Sequence, residues 1–236
     1  MTSLPLGRVV ERERRALRDR VYDRILEMLL KGEVESGTRL SPESMAKLLD
    51  VSPTPVREAM VQLERTGLVT REALRGYRVA PPLDERQLAE LYEARIMLET
   101  AATRGAAAEA AKVVPALRRA HERHRLASEA VVEAHGYGDV PIELTHDYFR
   151  ADTDFHLVPL EHLGNRYIRG MYDDLGALTH RMRQLALRGP DDVHEAVAEH
   201  AAILAAFESG DEEACVHAMR AHIENARDRS LRHGTD

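Results

Sequence analysis

The chain is 236 residues long, with 44% hydrophobic, 31% charged and only 4% aromatic residues, no tryptophan, one cysteine and a formal net charge of −7. This composition belongs to a globular, helix-leaning protein of one large or two modest domains, and a lone Cys215 excludes an internal disulfide or a zinc finger built from several cysteines. No apolar run of about 18 residues exists to span a membrane, and the opening "MTSLPLGRVVERERR" lacks the apolar core of a signal peptide, so a reduced, cytoplasmic setting is expected.

In chain order, a first helix is expected over about 13–31, with Val21, Ile25, Met28 and Leu29 on one face. The polar stretch "GEVESGTRLS" connects it to a second helix, capped by Ser41, with Pro42 at the first helical position and Met45, Leu48 and Leu49 turned inward. A short turn, "DVSP", leads to a third helix over about 54–66, ended by Gly67. "LVTREALRGYRVA" then reads as strand, turn at Gly76, strand. Three helices and two strands, with so short a turn between the second and third helices, make a winged helix-turn-helix. Pro81 and Pro82 end it, so the expected divisions are a head over 1–80, a linker over 81–83 and a second domain over 84–236.

A net negative charge argues against nucleic acid, but its distribution does not. Residues 1–82 carry 15 Lys+Arg against 12 Asp+Glu, a weakly basic segment on an acidic body. Phosphate contact needs local positive charge only. In "DVSPTPVREAMVQLERTGLV", prolines in the first turn cost little, because first-turn N–H groups lack intrahelical partners. Ser52 is placed to cap the helix, bonding the N–H of Thr54, since Pro55 offers none. Val56, Ala59, Met60 and Leu63 form the inward stripe, which leaves Thr54, Arg57 and Val61 outside. Thr54 and Arg57 lie at the helix N-terminus, where recognition helices meet phosphates and base edges.

The segment from about Leu17 to Val79 resembles the DNA-binding domain of the GntR family of bacterial transcription regulators, through "VSPTPVREAMVQLERTGLV" and the wing that follows. Pro53 departs from the pattern, standing where the family commonly has an arginine. The resemblance implies a wing that reaches towards the minor groove, with Gly76 at its tip flanked by Arg75 and Tyr77, and Arg75 as its leading contact.

Beyond Pro82 only helices are expected, about six of them, near 84–111, 114–134, 142–163, 166–188, 191–208 and 211–232. They form an antiparallel bundle, so the whole chain is mainly α. Three of these helices put polar groups where leucine belongs. Asp152 and His156 fall on the stripe of Phe149, Phe155, Leu160 and Leu163. His200 falls on that of Val193, Ile203 and Phe207, and His222 on that of Cys215, Met219 and Ala226. A carboxylate in a bundle core is costly unless paired or bound to a cation. One Asp and three His suit a divalent metal, zinc first, with nickel, manganese or iron as alternatives, and leave room for water or ligand. Separate hydrogen-bonded core groups are the plainer alternative.

The resemblance extends to about Leu231: residues 84–231 look like the helical effector domain of the FadR-type branch of these regulators, the FCD domain. Its metal-containing members carry Asp-x-x-x-His, here "DTDFH", and two later histidines, here in "EHAAIL" and "MRAHIE". Asp152, His156, His200 and His222 match in turn. Pro159 should kink its helix. Arg95 keeps the spacing of Leu88, Leu91, Leu98 and Ala102, so it too points inward, either to an ion pair or to a carboxylate ligand beside the metal. Asn165 and, more weakly, Arg181 are further pocket candidates.

These readings converge on a homodimeric, ligand-responsive regulator that binds a palindromic double-stranded DNA operator. The effector is a small carboxylate, and repression relieved by ligand is the commoner habit of such relatives. The alternatives are a helical metalloenzyme, for which no general base beside the metal can be nominated, and a regulator with a purely structural metal.

Overall fold

In the computed structural model the described residues are 6–30, 32–65, 67–73, 75–81, 83–136, 140–184 and 190–232, with backbone alone described at 6–15, 30, 176–184, 190 and 232. The chain divides into two compact units, Met1–Pro82 and Leu83–Asp236.

The first unit runs α1 (Leu6–Leu30), β1 (Arg39–Leu40), α2 (Pro42–Leu48), α3 (Pro53–Arg65), β2 (Val69–Glu72) and β3 (Gly76–Val79). Ser41 caps α2 as its sequence requires: its side chain accepts the N–H of Ser44 at 3.0 Å, with Pro42 in the first turn. The stripe of α3 is fully buried, with Val56, Ala59, Met60 and Leu63 each 0% exposed, against α1 residues Ile25 and Leu26. Leu48 is a correction. It is 63% exposed, and Ala46 takes the inward position, because α2 ends at Leu48 and its stripe runs Pro42, Met45, Ala46.

Among the described residues the sheet has three strands, ordered β1-β3-β2 and antiparallel throughout, with Leu40 opposite Tyr77 and Val69 opposite Val79. The third strand, β1, is two residues of the polar connector, too short for an alternating pattern to reveal. Gly76 starts β3 at φ 85°, and an added Cβ would lie 2.8 Å from the Leu40 carbonyl oxygen. Both the left-handed backbone and this approach demand glycine. Gly76→Ala is therefore expected to destabilise the head by about 1–3 kcal/mol, read as a lowered midpoint in denaturant.

The second unit is α4 (Glu85–Ala107), α5 (Ala110–His135), α6 (Ile142–Leu163), α7 (Arg166–Gln184), α8 (Pro190–Ser209) and α9 (Glu212–Arg232). Asp84 begins it with a full capping box, its carboxylate accepting the N–H of Gln87 while the Gln87 side chain accepts the N–H of Asp84. Helix α5 packs on α6 and α8, and α9 packs on α4 and α8. Between them lies a core of Tyr92, Leu117, Phe155, Ile203, Phe207 and Met219. Helix α6 runs on through the buried Pro159 to Gly164, whose φ of 66° ends it. Among the described residues no helix is long and apolar enough to cross a membrane.

Candidate functional site

In the first unit the face expected to meet DNA is exposed. Helix α3 begins at Pro53, which puts Ser52 in the cap position, and Ser52, Thr54 and Arg57 are all exposed. The Arg57 guanidinium meets the Glu43 carboxylate at 2.6 Å, with side chains 59% and 62% exposed. An ion pair this open contributes at most about 1 kcal/mol, so it orients Arg57 without withholding it. Arg75 is exposed in the turn between β2 and β3. Tyr77 is a correction: it is 6% exposed and packs in the core, because strand alternation turns its ring inward. It anchors the wing instead of contacting a partner. Gly76 shapes the wing through its backbone.

In the second unit Asp152 and His156 on α6, His200 on α8 and His222 on α9 converge, with one ligand atom of each within 4.8 Å of all the others. All four are buried, at 5%, 1%, 0% and 4% exposed. His222 Nε2 lies 3.2 Å from His156 Nε2 and 3.3 Å from His200 Nε2. Asp152 Oδ1 lies 3.6 Å from His200 Nε2 and 3.8 Å from His156 Nε2. Donors of a tetrahedral ion bound at about 2.0–2.1 Å stand roughly 3.3–3.4 Å from one another, close to this spacing. The Phe155 ring stacks on His200 with centroids 4.0 Å apart and planes at 11°, which fixes that imidazole.

Protons decide what the cluster holds. His222 Nδ1 is 2.7 Å from Glu199 Oε2, and a carboxylate there requires a proton on Nδ1. His156 Nδ1 is 2.5 Å from Glu99 Oε2, too poorly aligned for a hydrogen bond but equally in need of a proton. As neutral rings, His156 and His222 then direct bare Nε2 lone pairs at each other across 3.2 Å. That is repulsive unless a cation or a further proton lies among them. Burial pushes the pKa of His222 down despite Glu199, which disfavours the extra proton. The donor set therefore fits a divalent ion, bound through three Nε2 atoms and the Asp152 carboxylate.

Arg95 lies deeper than a ligand clamp would. It is 2% exposed, and its Nε donates to Glu99 Oε1 at 2.8 Å, while Nη2 is buried without a hydrogen-bond partner. Burial works against the Glu99 charge, but Arg95 and then His156 outweigh it and hold that carboxyl at about 2. The guanidinium is thus committed to Glu99 through Nε, with its carbon 5.6 Å from the centre of the Tyr92 ring. Asn165 is a correction: it is exposed, and its Oδ1 accepts the N–H groups of Tyr167 at 3.0 Å and Ile168 at 3.3 Å. It caps α7, as Asn does at helix starts, with its side-chain oxygen engaged by the backbone. The Arg181 side chain and Pro82 lie outside the described residues.

Four residues of the centre's surroundings escape the reading by sequence. His124 on α5 is 0% exposed, its ring 4.6 Å from that of His200 and its Nε2 3.9 Å from Asp152 Oδ1. It sits on the stripe of Val113, Leu117, Ala120 and Val131, so the test that found the other histidines applies to it. Glu99 follows Arg95 by one helical turn. Glu199 lies beside the stripe of α8, where spacing carries no signal, whereas Arg229 continues the stripe of His222 and Ala226 on α9 and was open to the same test.

Comparison with known proteins agrees with both units. Residues 17–79 match the model of the bacterial regulatory proteins of the gntR family, and residues 90–225 match the FCD domain. Over 221 residues the chain is 29% identical to an uncharacterized HTH-type transcriptional regulator, BphR, of Paraburkholderia xenovorans, covering 90% of this chain and 84% of that one. It is also 29% identical over 211 residues to a probable D-xylose utilization operon transcriptional repressor of Paenarthrobacter nicotinovorans, covering 89% and 87% of the two. In fold it is similar to E. coli McbR/YncC, with a TM-score of 0.62 at 21% identity over 93% of this chain and 99% of the other. These relatives are transcription regulators rather than enzymes. A helix-turn-helix head with a three-stranded wing sheet, followed by a helical unit around a buried His/Asp cluster, places the chain in the GntR family of bacterial transcription regulators, in the branch that carries an FCD domain.

Proposed function

We propose that the protein is a cytoplasmic, ligand-responsive repressor, a homodimer whose two heads grip a palindromic operator and whose helical unit binds a divalent ion and a small carboxylate. The observation that carries this reading is the cluster of Asp152, His156, His200 and His222 with Arg95 two contacts away. Three imidazoles and one carboxylate favour zinc, with nickel, manganese and iron within reach of the same donors. An ion held by these four residues takes an anion only by expanding its coordination beyond four or by exchanging a ligand. Ser52, Thr54, Arg57 and Arg75 are the proposed operator contacts, with Gly76 shaping the wing.

Formal charge supports an anionic effector. Among the buried or nearly buried groups, Asp152, Glu99 and Glu199 bring three negative charges to the centre and Arg95 and Arg229 two positive ones; Glu195, which also meets Arg229 at 3.1 Å, is 57% exposed and its charge is left to solvent. A divalent ion turns the sum from minus one to plus one, and a buried unmatched charge is costly. A carboxylate balances it, with the free Nη2 of Arg95 as a second donor. Self-association is supported by exposed apolar side chains on the touching helices α4 and α7: Met97 at 62%, Tyr167 at 68% and Met171 at 57%. The Paenarthrobacter relative is itself a probable transcriptional repressor.

A ligand alters operator affinity only by binding one arrangement of the heads better than another. A panel of small carboxylates screened by thermal shift on metal-loaded protein is expected to yield a hit. At about 100 times its Kd, such a ligand stabilises the protein by about 2.7 kcal/mol. The same compound should change operator affinity, measured by fluorescence anisotropy at fixed salt. A metal-loaded protein that answers no member of the panel would assign the ion a structural role alone.

A further inference from the structure

The Nδ1 of His222 faces a carboxylate that is itself elaborately held. Glu199 Oε2 accepts from Nδ1 at 2.7 Å. Arg229 donates to both oxygens of the same group, Nη1 to Oε1 at 2.7 Å and Nη2 to Oε2 at 3.0 Å. Asn225 Nδ2 donates to Oε1 at 2.9 Å. The Glu199 and Arg229 side chains are 16% and 10% exposed, so solvent screens this chain little. The helices that supply two of the imidazoles thus supply the brace as well: Glu199 precedes His200 on α8, and Asn225 and Arg229 follow His222 along α9.

We propose that Glu199 is the positioning residue of the metal centre, fixing His222 as its Nδ1–H tautomer so that the Nε2 lone pair faces the ion, with Arg229 holding the carboxylate in place. The inference rests on reading the cluster as a metal centre. A neutral imidazole without an acceptor at Nδ1 shares its proton between two nitrogens, and the Nε2–H form cannot bind an ion through Nε2. An acceptor at Nδ1 removes that form, fixes the ring and makes Nε2 more basic. Glu99 faces His156 Nδ1 at 2.5 Å without the alignment that Glu199 achieves, so the stronger brace is on α8. Beyond Arg229 the brace reaches a surface cleft of about 440 Å³, lined by Glu195, Ala198, Glu199, Asn225, Asp228 and Arg229.

The test uses full-length protein stripped by a chelator and titrated with zinc against a chromogenic competitor, beside nitrogen-15 spectra that report each imidazole tautomer. Glu199→Ala is expected to weaken zinc binding about 10–100-fold, as loss of such a partner does at other centres. His222 should then lose its pure Nδ1–H signature in the stripped protein. Glu199→Gln keeps an accepting oxygen and should recover part of the affinity and most of the tautomer. A purely structural ion pair predicts lower melting temperatures with zinc affinity and tautomer unchanged, and that result in folded Glu199→Ala overturns the proposal. Should Glu199→Ala not fold, Glu199→Gln decides alone: a reduced affinity supports the brace, and wild-type values in both readouts overturn it. Wild-type protein that takes up no ion overturns the metal reading and this inference with it, whereas wild-type that binds while its variants match it overturns the inference alone.

Discussion

Arg57→Ala protein is expected to lose its operator while keeping its fold and its metal. The side chain is 59% exposed and belongs to neither core, and the pair it makes with Glu43 contributes at most about 1 kcal/mol. Nothing in the packing should register its removal. A single arginine contact to a base edge contributes about 1–3 kcal/mol of discrimination. A dimer uses the contact twice, so the loss is about 2–6 kcal/mol, roughly 30-fold to 10⁴-fold in Kd. Anisotropy titration of one operator at fixed salt reads it directly, with circular dichroism as the control for folding. Unchanged affinity would remove Arg57 from the DNA contact.

His200→Ala is expected to empty the centre. The imidazole is 0% exposed, stacked on Phe155 and placed against both Asp152 and His222, so no solvent group can replace it. Loss of an outer partner costs such sites about 10–100-fold in affinity, and loss of a direct ligand should cost more. Elemental analysis of the purified variant should find metal far below one equivalent per chain. Full occupancy would exclude His200 as a ligand. The cavity and the unstacked Phe155 also predict a lower melting temperature, so metal content must be read on the folded fraction.

The parts legible in the sequence are those with a period. Val56, Ala59, Met60 and Leu63 fix the orientation of α3, and with it the exposure of Thr54 and Arg57. The same spacing placed Asp152, His156, His200 and His222 inside the bundle, because a polar residue on a buried stripe is conspicuous. Helix ends marked by Gly67 and Gly164 were equally plain, each at positive φ. What escaped has no period. Strand β1 is two residues long and is defined by its partner β3. Leu48 is apolar yet exposed, since α2 ends there and its buried stripe runs through Pro42, Met45 and Ala46. Tyr77 and Asn165 were misassigned for opposite reasons: a wing residue can anchor the core, and a residue after a helix-ending glycine can cap the next helix. Arg95 does point inward, but its partner Glu99 comes from its own helix and takes the Nε donor. Glu199 sits at a stripe edge, and although Arg229 keeps the spacing of His222 and Ala226, only three-dimensional proximity shows that the two meet beside His222.

The account depends most on a divalent ion held among Asp152, His156, His200 and His222. Anomalous diffraction from crystals of protein purified without chelator, collected on both sides of the zinc, nickel, iron and manganese edges, tests this directly. The expected result is one peak at the cluster, about 2.0–2.2 Å from the Asp152 carboxylate and from the Nε2 atom of each histidine. A cluster without anomalous signal, its imidazoles joined to one another by shared protons, would contradict it.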